Sequence, residues 1–234
     1  RRRQRQMCIR DSVKAKYPDL PMMLCSGGGG RSDYEALSYF TEFWPSDNTD
    51  PIERLFIQWG FSQVFPAKTM CAHVTTWNKN SSVKFRTDVA MMCKLGFDIK
   101  LADMSKDDET YCRTAVQNYN RLKPVVLEGD MYRLVSPYGS NHTSTMYVGK
   151  DKDKAVVFAF DIHPRYAEKT LPVRLQGLDA DKMYRVKEIN LMPGANSSLS
   201  GNGEVFSGEF LMNVGLNLFT TQQLNSRVIE VVAE

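Results

Sequence analysis

Apolar residues fall in two rhythms along the chain. Up to about residue 128, short apolar runs alternate with stretches whose apolar residues recur every three or four positions, which is the strand-then-helix grammar of a βα fold. Residues 20–24 form a short apolar run ending at Cys25 and read as a buried strand of a parallel sheet. A second strand is expected within 36–44, a third within 64–74, centred on 69–73, and a fourth over 97–101. Helices are predicted over 51–60, 85–95 and 105–122. In the first, Ile52, Leu55, Phe56 and Trp59 make one apolar face, and Asp50 and Glu53 flank Pro51 as a capping box. Ser105 caps the third, Asp107 and Asp108 sit at the positive end of its dipole, and Pro124 should stop it.

From Gly129 the rhythm changes to short strand-like runs at 131–135, 143–148, 155–162, 171–175, 184–189, 206–214 and 227–232. Turn signals separate them, among them Ser136-Pro137-Tyr138-Gly139 and the Gly/Asn/Ser-rich stretch 193–203. Such spacing indicates an antiparallel β-sandwich. The expected fold class is therefore α/β plus all-β: half of a (β/α)8 TIM barrel over 13–128, then a β-sandwich domain over 129–234.

Charge and cysteine content narrow the function classes. The net charge of +3 is generated by Arg1, Arg2, Arg3, Arg5 and Arg10, so the body past Ser12 is near neutral and gives a nucleic-acid partner no electrostatic support. Residues 1–12 are read as a non-native basic leader, of the kind a translated adapter leaves, and are set apart from the fold. No hydrophobic core follows the leader as in a secretory signal, and no apolar run approaches the roughly 18 residues of a membrane span. Periplasm, cell exterior and cytoplasm all stay open, and no membrane partner is expected. Cys8, Cys25, Cys71, Cys93 and Cys112 are odd in number and widely spaced, unlike a disulfide framework. Cys71-Ala72-His73 supplies only two metal ligands, so no metal is expected. His73 itself reads as a structural strand histidine or, less often for a lone His, a catalytic base.

The chemistry is concentrated in two segments. Trp44-Pro45-Ser46-Asp47-Asn48-Thr49-Asp50 joins a strand end to a helix start. Asp50 is occupied by its capping role, but Asp47 is a free carboxylate at the carboxyl end of a barrel strand, where such barrels carry their catalytic groups. A solvated turn residue is the plain alternative. Upstream, Cys25-Ser26-Gly27-Gly28-Gly29-Gly30-Arg31-Ser32-Asp33 lets a ligand approach bare backbone. It lacks the Gly-Lys-Ser/Thr ending of a phosphate cradle.

Together these segments resemble two motifs of glycoside hydrolase family 36, the α-galactosidases: Ser46-Asp47-Asn48-Thr49-Asp50 its acid/base segment, and Cys25 to Asp33 its sugar-binding loop, with Gly27 where the family usually has Ser. The resemblance implies barrel strands five to eight, Asp47 as general acid/base, Cys25 and Gly28 against the galactose ring, and Trp44 stacked on its apolar face. It implies that Arg31 and Asp33 hold the loop. It also implies retaining hydrolysis of terminal α-galactosyl residues of galacto-oligosaccharides, with no metal or other cofactor, by an enzyme that in its intact form often self-associates. The family's nucleophile lies in a Lys-x-Asp motif on an earlier strand, and no such motif precedes the glycine loop here. The chain is therefore expected to be inactive alone. The alternative is a non-catalytic carbohydrate-binding β-sandwich carrying a barrel remnant, for which binding would map to 129–234 and survive Asp47→Ala.

Overall fold

The computed structural model describes residues 9, 11–25, 27–77 and 80–234. Most of the basic leader, Cys8, Ser26 and residues 78–79 lie outside the described residues. No helix among the described residues is long and apolar enough to cross a membrane.

The first half holds four short parallel strands, β1 Met23–Leu24, β2 Glu42–Phe43, β3 Cys71–Thr75 and β4 Lys94–Asp98. β1 pairs with β2 and β3 with β4, and a parallel bridge from Phe43 to Met70 joins the two pairs in the order β1-β2-β3-β4. Helices α1 Pro51–Phe61, α2 Val83–Ala90 and α3 Lys106–Glu128 follow β2, β3 and β4. This is the βα arrangement expected of a barrel half.

The differences from expectation have local causes. The run at 20–24 is not a buried strand: Met23 is 42% exposed, since among the described residues β1 has a strand on one side only. Within 36–44 a 3-10 turn, Ala36–Ser38, comes first, because the Asp33 carboxylate accepts the Ala36 N–H at 2.7 Å. α2 ends at Ala90, not 95, because Lys94 and Leu95 pair with Cys71 and Ala72 as part of β4.

α1 begins at Pro51 as read, with Asp50 accepting the Ile52 and Glu53 N–H groups, but the capping box is one-sided: the Asp50 N–H goes to Asn48 Oδ1, already in reach within the turn, and not to Glu53. Its buried residues, however, are Pro51, Leu55 and the polar Arg54 and Gln58, whereas Ile52, Phe56 and Trp59 are only half-buried.

α3 is capped by Ser105 and runs straight through Pro124 to Glu128. A mid-helix proline costs about 3 kcal/mol. Beyond it Val125 and Val126 are both buried, and each buried valine returns about 1.5–3 kcal/mol, so continuing the helix wins.

The second half is one six-stranded antiparallel sheet of β5 Asp130–Val135, β6 His142–Val148, β7 Lys154–Asp161, β8 Met183–Ile189, β9 Val205–Ser207 and β10 Asn225–Ala233, in the order β5-β6-β7-β10-β8-β9. Tyr147, Val156, Phe158, Phe160 and Val228 share a core with the helices of the first half. The opposite face, with Met146, Val157, Ile229 and Val231, is covered by Val173, Leu175, Leu211 and Leu216. Of the strand expected at 171–175, only a single bridge from Val173 to Leu216 forms. The run at 206–214 divides into β9 and a short helix, α4 Gly208–Asn213, opened when Ser207 caps the Phe210 N–H. The second layer of the β region is thus made of covering segments.

The two halves are joined by a buried carboxylate. Asp88 of α2, fully buried, accepts from Tyr111 Oη of α3 at 2.9 Å and Ser226 Oγ of β10 at 2.7 Å, and pairs with Lys84 at 2.5 Å. Asn190 Nδ2, just past β8, donates to the same carboxylate. Asp88→Ala leaves the Lys84 ammonium largely buried without its counter-charge. We expect it to cost about 3–5 kcal/mol, read as a lowered urea midpoint at unchanged slope.

Candidate active site

The turn after β2 is shaped by its own polar side chains. Ser46 Oγ accepts the Asn48 N–H at 3.1 Å and Asn48 Oδ1 accepts the Asp50 N–H at 3.0 Å. Between them the Asp47 side chain points outward, exposed, and its Oδ1 accepts from Trp44 Nε1 at 3.0 Å.

The glycine loop lies directly on this turn. The Gly29 N–H donates to the Pro45 carbonyl at 2.6 Å, and a Cβ on Gly29 would stand 2.7 Å from that oxygen. Gly28, buried and at φ +75°, would place a Cβ 3.2 Å from Ser46 Cα and 3.6 Å from the Asp47 nitrogen. These two glycines permit a close backbone approach; among the described residues nothing stands within 4 Å of a Cβ at Gly27 or Gly30. The structure therefore brings Gly28, Asp47 and Trp44 together. Cys25 is exposed at the carboxyl end of β1, at the foot of the same loop.

Trp44 is held from other elements as well. Its ring centroid is 4.7 Å from that of His73 on β3, and the Arg54 guanidinium carbon is 5.3 Å from the indole. The His73 ring lies across Gly96, its partner on β4, where a Cβ would stand 2.3 Å from the imidazole. Burial holds His73 below the ordinary histidine pKa; Asp98 opposes this and Arg54 adds to it. A neutral imidazole thus forms a shelf for the indole.

Arg54 was not singled out by sequence reasoning. It is 3% exposed and donates to the Cys71 carbonyl at 2.6 Å, the Ser46 carbonyl at 3.3 Å and Gln58 Oε1 at 3.3 Å. Gln58 in turn donates to the Val89 carbonyl at 3.0 Å. Desolvation lowers the Arg54 pKa from its usual high value. Its spacing of four from Gln58 was the only sequence signal, and burial of both was not visible in it.

Further along the inner strand face, Lys94 pairs with Glu42 at 2.5 Å. The Cys71 thiol, desolvated and near Glu42, is pushed up to about 12. No group of three His, Cys, Asp or Glu side chains among the described residues is arranged to hold a metal ion.

Two family models match the chain: Melibiase over residues 6–129 and the glycosyl hydrolase family 36 C-terminal domain over 142–231. Alpha-galactosidase 2 of Hypocrea jecorina is 35% identical over 225 residues, covering 94% of this chain and 28% of that protein. The crystal structure of the GH36 alpha-galactosidase AgaB from Geobacillus stearothermophilus superposes with a TM-score of 0.86 at 29% identity, covering 97% of this chain and 30% of that one. A variant of AgaA from the same organism, in complex with stachyose, gives 0.86 at 30% identity with the same coverage. The chain thus spans less than a third of the length of these relatives.

The lowered pKa of His73 has a sign that can be tested. As pH falls through about 6.5 the unfolded chain takes up the proton first, so stability drops on the acid side until folded His73 also protonates. His73→Phe keeps a ring on the shelf and removes this loss. Urea midpoints of the two chains should differ by a constant amount above neutrality, with the difference moving in favour of the phenylalanine chain toward about pH 5.5. A difference that does not change with pH would refute the assignment.

Proposed function

The chain belongs to the melibiase family, with the C-terminal domain of glycosyl hydrolase family 36 behind it, and on that premise we propose that it carries the acid/base half of a retaining α-galactosidase site. The observation that carries this reading is the docking of the glycine loop on the Asp47 turn, which sets a bare backbone surface beside an exposed carboxylate. Galactose would rest against Cys25 and Gly28, with Trp44 against the apolar face of its ring. The substrates would be terminal α-galactosyl residues of galacto-oligosaccharides, the class to which the stachyose bound by the AgaA variant belongs.

In the first step Asp47 protonates the glycosidic oxygen as a nucleophilic carboxylate attacks the anomeric carbon. In the second, Asp47 takes a proton from the water that releases galactose. The Trp44 indole N–H fixes one carboxylate oxygen and leaves the other for the proton. Retaining chemistry needs the two carboxyl groups about 5–5.5 Å apart. The nucleophile is assigned to a barrel segment of the relatives outside these 234 residues, so this chain alone should not turn over. Two carboxylates suffice for the reaction, and no cofactor enters it.

Two measurements test the proposal. The pure chain should release no galactose from an aryl α-galactoside; time-dependent release would refute the missing-nucleophile assignment. In a polypeptide carrying these residues together with the nucleophile-bearing half, Asp47→Asn should slow hydrolysis of sugar-leaving-group substrates by about 10²–10⁴. Aryl galactosides, whose leaving groups need less protonation, should suffer less. Equal losses on both substrate types, or no loss, would remove Asp47 from the acid role.

A further inference from the structure

One buried cation beside the site has no part in the scheme above. Arg54 lies in the first turn of α1, and its side chain is shut from water. Its guanidinium donates to the Cys71 carbonyl at the start of β3, to the Ser46 carbonyl and to the amide oxygen of Gln58, all of them neutral acceptors. A buried cation met only by neutral groups is costly, and an apolar side chain of similar volume would pack there without that cost. Stability alone therefore does not account for an arginine at this position. What its contacts hold in place does.

Two of those contacts converge on Asp47. The peptide unit that joins Ser46 to Asp47 is planar, so the hydrogen bond to the Ser46 carbonyl at 3.3 Å fixes a plane that also contains the Asp47 Cα. The second contact runs through Trp44. The guanidinium carbon stands 5.3 Å from the indole, within cation–π range, and the indole N–H donates to Asp47 Oδ1 at 3.0 Å. A cation against the ring draws electron density from the N–H and makes it the stronger donor. Both ends of the Asp47 residue, its Cα and one carboxylate oxygen, are thereby tied to one planar group. That group is itself anchored to β3 by its 2.6 Å bond to the Cys71 carbonyl. A lysine has one ammonium, no fork and no flat face, and could not hold both ends.

We propose that Arg54 is a positioning residue for Asp47, aiming the carboxylate by fixing the Ser46–Asp47 peptide and the Trp44 indole together. The inference rests on the acid/base role proposed for Asp47, and its test separates the two. In the 234-residue chain with ¹⁵N-labelled tryptophan, Trp44→Phe assigns the Trp44 indole signal, and Asp47→Ala gives its position without an acceptor. If Asp47→Ala leaves that signal in place, the indole–carboxylate bond is absent and the proposal fails. Arg54→Lys should move the signal more than halfway toward its place in Asp47→Ala, with the Trp59 and Trp77 signals unmoved. A folded Arg54→Lys chain with the Trp44 signal in its original place overturns the proposal. Should Arg54→Lys not fold, the unaltered chain decides. Its Arg54 side-chain N–H must exchange with water more slowly than that of exposed Arg174 and show an NOE to the Trp44 ring, and failure of either overturns the proposal. In a polypeptide that also carries the nucleophile-bearing half, Arg54→Lys should slow hydrolysis of sugar-leaving-group substrates about 10–10²-fold, with aryl galactosides losing less. A merely structural loss would fall equally on both substrates; that result removes the positioning role while Asp47→Asn keeps its selectivity. If Asp47→Asn itself shows no such selectivity, the acid/base reading fails and the inference falls with it.

Discussion

A single buried carboxylate, Asp88, ties this molecule together. A charge with no solvent exposure is tolerated only when a counter-charge and hydrogen bonds replace the lost water, and here the replacements come from four places in the chain: Lys84 in the same helix, Tyr111 in α3, Asn190 after β8 and Ser226 in β10. The carboxylate can be satisfied only when the sheet and the helices are in their native relation. That makes it a specification of geometry as much as a source of stability.

The same helix connects the domain junction to the proposed site. Val89, next to Asp88, gives its carbonyl to Gln58; Gln58 meets Arg54; Arg54 meets the carbonyl of Ser46, the residue before Asp47. The Asp47 turn, for which we propose the acid/base role, is thus fixed from beneath by a buried guanidinium and from the side by glycine backbone. Trp44 sits within the same support, between the carboxylate it touches and the imidazole on which it rests. Such support matters for a general acid, whose contribution depends on holding one oxygen at the bond being broken. The β region takes part by covering the outer side of α2 and α3, whose buried face would otherwise lie open to water.

The parts of the fold legible in the sequence were those written within a few residues. Asp50-Pro51 opening a helix, Ser105 capping another, the antiparallel strands between turn signals and the glycine run each carry their reason in neighbouring residues. Where a neighbour far along the chain decided the outcome, reading failed. Pro124 did not stop α3, because Val125 and Val126 had a sheet to pack against. The run at 206–214 became largely helical, because as a helix it closes Leu211 over the sheet face beside Met146, Val157 and Ile229.

The site divides in the same way. Asp47 at a strand end and the glycine run are local features, and with the family resemblance they were enough to propose Asp47, Gly28, Cys25 and Trp44 as site residues. Only the tertiary structure put Gly28 and Gly29 against Pro45 and Ser46, laid His73 over Gly96, and buried Arg54 with backbone carbonyls in place of an acid. A pattern of apolar positions records which side chains avoid water on their own account. A polar side chain enters the interior only because some distant group will meet it there, and that group's position is set when the chain folds.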